Sequence, residues 1–570
     1  MRKIKLAALL CSALLTVIFI SGCAVTRPPS GELPSGEPPA GEIPKTDKMN
    51  TPVGVRADSF YDEIVWDAVS DATGYVVNLN GQTFDAPKNI FSTASFTAGE
   101  YEVSVKATGG KADSDYSEAV TYINTKITSA EFEERFVTFT KDIPTLKIDT
   151  KDAAAITSKT DYVDATAQIT NTKAEYLLSD WKIQIRGRGN STWGQPKKPY
   201  RIKAEKKTAV FGFAKVKNWA LLAEYSDKSF MRNYFAHMLA RSLDGMSFSA
   251  NCVYVELELN GRYDGLYLLT DQPETGESRV DAEGYTTDAV GRLTDTGFML
   301  EIDDRATSDS TEVLGQTFFQ IFPQRGGFRD HYNFVLKYPK ADDDGFDGNP
   351  ALYSQAFKFI KDYIQSVFDA IEFINNDGNY ADFNRLCDEN SFIDYWIIQE
   401  LTKNTDADAL SLFVNRKAGG KMSMGPVWDF DIGIGNAWYM SDALYPSGWY
   451  NRTKNIWFSR LMGNTGFKDN FKRRYDKLYE VQISHAIAAL SAVETDIAAA
   501  VARNFSGDLV TRYRFMGKEV AWAQDVNPYS LGYYVWPSPE AVVQANTFAK
   551  QVKYVRDYLT DRALWMSNNL

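Results

Sequence analysis

The sequence predicts an α+β fold in two lobes or layers, strand-rich first and helical last, preceded by a small β-sandwich. Three observations carry this. Up to about residue 270, apolar residues recur with period two, as in Tyr101, Val103, Val105 and Ala107 or along Val253–Leu259, which is the alternation of half-buried strands. Beyond residue 350 the period becomes helical: Ala356, Phe357, Ile360, Tyr363, Ile364, Val367, Phe368 and Ile371 form one face. Strands followed by helices, rather than alternating with them, imply an α+β unit. At 44 % hydrophobic and 14 % aromatic over 570 residues, the chain has ample core material and is not a disordered polymer.

The elements follow in chain order. Arg2, Lys3 and Lys5 precede an apolar run from Leu6 to Ile20, too short for a membrane-spanning helix of about 20 residues. Ile20-Ser21-Gly22-Cys23 follows directly and resembles a bacterial lipobox. The expectation is a lipoprotein signal over residues 1–22 and a lipidated Cys23 anchoring the chain outside the cytoplasm. Residues 23–50 contain Pro29-Ser-Gly-Glu-Leu33, Pro34-Ser-Gly-Glu-Pro38 and Pro39-Ala-Gly-Glu-Ile43. Such Pro, Gly and acidic composition buries nothing and makes an extended tether.

Residues 51–123 hold strand-like Ile64-Val65-Trp66, Tyr75–Leu79 and Tyr101–Ala107, with a turn at Asn80-Gly81. Their arrangement resembles a fibronectin type III sandwich, whose default role is a spacer. In residues 126–345 a hairpin is expected from Val253–Leu259, Asn260-Gly261 and Gly265–Thr270. A helix capped at Ser226-Asp227 and running to about Leu243 carries a stripe of Met231, Tyr234, Phe235, Met238 and Leu239. Two helices are expected after residue 350, the second following Asn390-Ser391. Residues 405–440 read as a polar loop, and helices resume from about 453 to the end.

Charge and rare residues exclude some functions. With 62 Lys+Arg against 74 Asp+Glu, a net charge of −12, the chain is a poor candidate for non-specific nucleic-acid binding, although a local basic groove stays open. Four Cys and three His do not make a Cys/His zinc cluster. After signal removal and lipidation only Cys252 and Cys387 remain, either paired or as buried thiols.

Three segments can carry chemistry. Arg186-Gly187-Arg188-Gly189-Asn190-Ser191-Thr192-Trp193-Gly194 follows a strand. Its glycines allow backbone N–H groups to approach a phosphate and its arginines add charge, although a plain hairpin turn uses the same residues. Lys198 or Lys203, on the strand after it, can reach a phosphate; a solvated basic edge strand is the alternative. The third segment combines Asp406 and Asp408 with Asn415, Asp429 and Asp431. Carboxylate and amide oxygens suit Mg²⁺, and capping of turns is their bland alternative.

These segments together resemble the spore-coat protein H (CotH) kinase-like family. The matching stretches are Arg186–Gly194, Lys197-Lys-Pro-Tyr-Arg-Ile-Lys203, Lys217-Asn-Trp-Ala-Leu-Leu-Ala223 and Asp227-Lys-Ser-Phe-Met-Arg-Asn233. Asn260-Gly-Arg-Tyr-Asp-Gly-Leu-Tyr-Leu-Leu-Thr270 and Gly425-Pro-Val-Trp-Asp-Phe-Asp431 continue the order, so the resemblance covers about residues 140–440. It implies an atypical protein kinase-like domain over 126–570 that uses ATP and Mg²⁺ to phosphorylate Ser or Thr of a surface, secreted or coat protein. Asp406 is implied as the catalytic aspartate that accepts or orients the substrate hydroxyl, and Asp429, with Asp431 and Asn415, as the metal set. Arg186, Gly187, Arg188, Gly189, Lys198 and Lys203 are implied as the ATP site. The departures are that no His-Arg-Asp precedes Asp406, Ser411 stands where kinases place a metal-binding Asn, and Glu224 and Glu256 compete as the partner of the ATP-site Lys. An inactive surface or coat assembly protein and a carbohydrate-active enzyme with a carboxylate pair are the competing functions. Partners are then a protein substrate and a membrane, with no nucleic acid; oligomeric state is unassigned.

Overall fold

The computed structural model describes residues 47–570 apart from 94–95, 125–128, 139, 310, 377, 438–439, 507–508, 510–544 and 546. The signal segment, Cys23 and most of the tether therefore lie outside the described residues. In the N-terminal module, β1 (Arg56–Asp58), β2 (Glu63–Val65) and β5 (Ile90–Ser92) form one antiparallel sheet. β3 (Ala72–Leu79), β4 (Gln82–Ala86), β6 (Gly99–Gly109) and β7 (Val120–Asn124) form the other, in the order β4-β3-β6-β7. Their inward alternation buries Ile64, Trp66, Val77, Val103 and Val105 between the sheets.

A short helix, α1 (Ser129–Val137), leads to a closed barrel of seven strands. These are β8 (Thr145–Thr150), β9 (Val163–Thr170), β10 (Leu178–Gly187), β11 (Tyr200–Thr208), β12 (Val216–Leu222), β13 (Cys252–Leu259) and β14 (Arg262–Asp271). Closure abolishes the sheet edges. Alternation sends Ile183, Ile185, Ile202, Trp219, Leu221 and Tyr267 inward. Arg186 and Arg201, cross-strand partners, then face outward. Asn260 and Gly261 both take positive φ, 51° and 71°, as the two-residue turn between β13 and β14 demands.

The helix expected after Ser226-Asp227 is α2 (Arg232–Arg241). The helix starts later than expected, with Met231 at the N-cap and no side-chain cap there, and Asp227 instead reaches its first turn from outside, accepting from the Arg232 N–H at 2.9 Å. A single apolar stripe was the expectation, yet Arg232 to Ala240 are all buried. α2 is the spine between the barrel and the second half. There a hairpin, β15 (Tyr285–Thr287) and β16 (Leu293–Thr296), precedes a five-stranded sheet in the order β18-β19-β17-β20-β21: β17 (Phe298–Ile302), β18 (Phe318–Ile321), β19 (Tyr332–Tyr338), β20 (Leu412–Arg416) and β21 (Ser423–Met424).

β20 and β21 correct the reading of 405–440 as loop. Leu412-Phe413-Val414 is too short an apolar run to stand out, and β20 gains its identity from pairing with β17. The helices are α3 (Pro350–Glu372), α4 (Asn379–Leu386), α5 (Glu389–Thr402), α6 (Ser441–Leu444), α7 (Asn451–Lys454), α8 (Ile456–Leu461), α9 (Thr465–Leu478), α10 (Ser484–Asn504) and α11 (Phe548–Asn569). α5 starts at Glu389 and so includes Asn390-Ser391, with Asp388 accepting from the Asn390 N–H. A π-turn at Tyr479–Ile483 joins α9 to α10. Cys252 and Cys387 are free, buried thiols. The mixed α+β architecture, strands first and helices last, is thus present.

The β-module does more than space. Its β1–β2 turn reaches α9, and Phe60 joins the core of the helical half. Arg473 pairs with Glu63, and Lys477 with Asp62 at 2.9 Å. Arg474 stacks on Phe60 at 3.8 Å and donates to its carbonyl. The same guanidinium pairs with Asp244 and, bidentately at 2.8 Å, with Asp394 of α5. One buried arginine therefore ties the module, α9, α5 and the α2–β13 connection. Phe60→Ala is expected to cost about 3 kcal/mol. Arg474→Met, which strands the buried Asp394 carboxylate, is expected to cost about 3–5 kcal/mol. Denaturant unfolding midpoints at constant m-value measure both.

Candidate functional site

Three acids, Asp406, Asp429 and Asp431, lie within electrostatic range of one another, with Arg188 of the barrel side and Arg305 after β17 both near Asp429. α5 ends at Lys403, whose left-handed φ of 43° turns the chain. The following turn, Asp406–Asp408, is set by the Asp406 N–H donating to Asn404 Oδ1 at 3.2 Å. Asn455 holds it from behind by donating to the carbonyls of Ala407 and Asp408. Asp429 and Asp431 arrive on the segment after β21.

That segment is heavily pinned. Asp429 has φ of +66°, a conformation that a non-glycine residue keeps only when its surroundings impose it. The Phe430 N–H donates to Asn233 Oδ1 at 2.8 Å, and Ile434 N–H to the Thr402 carbonyl of α5 at 2.6 Å. Arg232 donates to the carbonyls of Gly433 and Ile434 while ion-pairing with the fully buried Asp227. Asn436 donates to the carbonyls of Asp431 and Ser226. The Asp227–Asn233 stretch is thus the clamp that positions Asp429.

The acids oppose one another. Burial, then the Asp429 charge, pushes Asp406 up to about 7, with Arg305 counteracting. Burial raises Asp429 against the pull of Arg188 and Arg305. Asp431 is held well above the carboxylate range by burial and by Asp429, Glu224 and Asp406. A cluster of negative charge that cannot fully ionise alone is what a cation would compensate. Among the described residues no three His, Cys, Asp or Glu side chains form a closed metal cage. Mg²⁺ does not require one, since it takes one or two carboxylates and completes its shell with water and phosphate.

The remaining sequence candidates are placed as follows. Arg188 is half-buried and stacks on Trp428 at 5.4 Å, directed toward Asp429. Arg186 lies over Tyr162 at 5.0 Å, as does Lys203 at 5.9 Å on the exposed outer edge of β11. Lys198 donates to the Trp193 carbonyl at 2.7 Å. Gly187 and Gly189 are obligatory, because a Cβ would meet the Trp193 ring at 2.4 Å or Thr192 Oγ1 at 2.1 Å. The glycines thus make room for the turn's own side chains. Asn415 donates to the Gly425 carbonyl at 2.9 Å, and Asp408 accepts from Arg329 at 2.6 Å.

Four further residues enter the site. Lys197, only 2 % exposed, donates to the Leu266 carbonyl and to Asn504 Oδ1, against the Tyr267 ring. Burial brings it down to about 7, with Asp264 and Glu224 opposing. Glu224 is pushed up to about 8 by burial and Asp227, and is held by Asn233 at 3.0 Å. Glu256, its rival, is spent on Arg503. Ser411 Oγ donates to Asp429 Oδ2 at 3.3 Å. Arg305, the fourth, stands within electrostatic range of both Asp406 and Asp429. Lys197 carried a signal in its place next to Lys198, and Ser411 in its place five residues after Asp406, while Arg305 sits in no motif.

A family model described as CotH kinase protein matches residues 183–566. The chain belongs to the CotH kinase family. No curated protein matches it. The family match runs well past residue 440, so the last helices belong to the same unit. The structure supplies the reason: Arg562 of α11 ion-pairs with Glu400 of α5, both fully buried. Lys403 donates to the carbonyls of Asp442, Tyr445 and Ser447. The CotH turn bearing Asp406 is therefore braced by residues more than a hundred positions away.

Asp406 titrates near 7 in the fold and near 4 when unfolded, so the folded state binds the extra proton between these values. Stability should therefore fall as pH rises from 4 to 7. Asp406→Asn is expected to match the parent below pH 4 and exceed it by on the order of 4 kcal/mol above pH 7. Thermal melts across pH measure the difference.

Proposed function

We propose that the chain is an extracytoplasmic atypical protein kinase. It transfers the γ-phosphoryl group of ATP to a Ser or Thr hydroxyl of a secreted or surface protein. The observation that carries this reading is the pairing of Asp406 with Asp429 in one site, with Asp429 held in a strained backbone by a dedicated clamp. Kinase-like membership of the CotH family agrees with it.

In this reading Asp429, with Ser411 and Asp431 beside it, would hold Mg²⁺, which supplies charge neutralisation to the phosphates when bound. Asp406 accepts the proton of the substrate hydroxyl as that oxygen bonds to phosphorus and the β–γ bridging oxygen leaves with ADP. An affinity for protons near pH 7 suits that task. Arg188 faces the phosphate side from the barrel. Catalysis is placement and charge stabilisation, with no covalent protein intermediate. The lipobox and tether would hold this unit at reach from a membrane through lipidated Cys23.

One observation favours an inactive surface or coat assembly protein. Lys197, the interior lysine near Glu224, has its hydrogen bonds taken by Leu266 and Asn504. Incubation of the chain from residue 47, with its docked β-module, with Mg²⁺, γ-labelled ATP and candidate surface proteins decides between the two. Transfer is expected, and Asp429→Ala is expected to reduce it by about 10³-fold or more. Absence of ATP binding at millimolar concentration refutes the kinase and leaves the assembly role.

A further inference from the structure

Arg305 sits in the turn Asp304–Thr307 that directly follows β17. The turn is built into the site. Asp303 Oδ1 accepts from the Arg305 N–H at 2.9 Å, and the Asp304 N–H donates to the Ala409 carbonyl at 3.0 Å. Arg329 spans the two turns by pairing with Asp304 and with Asp408. Ile302 lies opposite Leu412 in the β17–β20 pair. The backbone carrying Arg305 is thus fixed relative to the backbone carrying Asp406.

The neighbouring arginines are committed. Arg329 is divided between Asp304 and Asp408, and Arg416 is forked onto Asp295. Arg305 differs from both. Among the described residues its half-buried guanidinium makes no hydrogen bond or ion pair, though it stands within electrostatic range of both Asp406 and Asp429. Five N–H donors in a rigid fork, held near two carboxylates but bonded to neither, are available to an incoming anion.

The two carboxylates define what that anion is. On the kinase reading Asp406 lies at the attacking hydroxyl and Asp429 at the metal-held phosphates, so the transferred group passes between them. A cation near both acids is near that space.

We propose that Arg305 is a catalytic residue that contacts the oxygens of the transferring phosphoryl group. It acts from the sheet side, while Arg188 acts from the barrel. This rests on the kinase reading. Charge spread over three equatorial oxygens in the transition state is stabilised by a preorganised guanidinium. The proton still goes to Asp406, and the leaving group is ADP.

A contact to the γ-phosphoryl predicts selectivity between nucleotides, which simple neutralisation of Asp406 and Asp429 does not. Calorimetric titration of the chain from residue 47 with Mg-ATP and with Mg-ADP provides the readout, alongside label transfer. Arg305→Gln is expected to weaken Mg-ATP by about 10-fold with Mg-ADP unchanged, and to slow transfer by about 10²–10³-fold. Arg305→Lys, keeping the charge, should recover part of both and stands in if the Gln variant melts early. Equal weakening of ATP and ADP, or unchanged ATP binding and transfer beside an active parent, overturns the proposal. A parent that binds neither nucleotide overturns the kinase reading and this proposal with it.

Discussion

The structure is organised around a Coulombic conflict. Asp406, Asp429 and Asp431 lie together in a partly buried site, where the Asp429 charge raises the proton affinity of Asp406, and both raise that of Asp431. Like charges at low dielectric separate unless something holds them. The clamp is the Asp227–Arg232 pair, Asn233, Asn436 and the end of α5, all acting on the backbone from Phe430 to Ile434. Arg188 and Arg305 are the positive charges that most oppose the rise of Asp429 among the described residues. A fold that spends this much bonding to keep carboxylates together is poised for a cation and an anionic substrate.

Buried arginines act as struts around that site. Arg474 joins the β-module to α5 and α9, and Arg562 joins α11 to the end of α5 just before the Asp406 turn. α5 is thus held at two points by side chains from remote segments. A buried guanidinium makes several hydrogen bonds in fixed directions, so it specifies geometry more than it adds net stability. Phe60, wedged on Arg474, makes the module part of the same mechanical unit.

Much of this was legible in the sequence where periodicity or turn chemistry is local. The β-strands of the module, the Asn260-Gly261 hairpin and α3 follow from alternation, φ preference and spacing. Asp406 and Asp429 were also legible, since two acidic clusters in one polar stretch are rare without a shared task. The motifs were less faithful about roles. Conspicuous glycines at 187 and 189 accommodate Trp193 and Thr192, and Asn415 serves the Gly425 turn.

By itself, then, the sequence determined the α+β class, the order of strands and helices, and which acids belong together. Only the tertiary structure decided that Lys197 rather than Lys198 or Lys203 enters the interior, that β20 is a strand, and that Ser411 and Arg305 stand near Asp429. The reason is physical. Alternation tells which face of a strand a residue occupies, but not what packs on that face, and an unpaired arginine is recognisable only when every neighbour's partner is known. The barrel closure, the β17–β20 pairing and the long reach of Arg474 and Arg562 join residues far apart in the chain. No local rule carries that information.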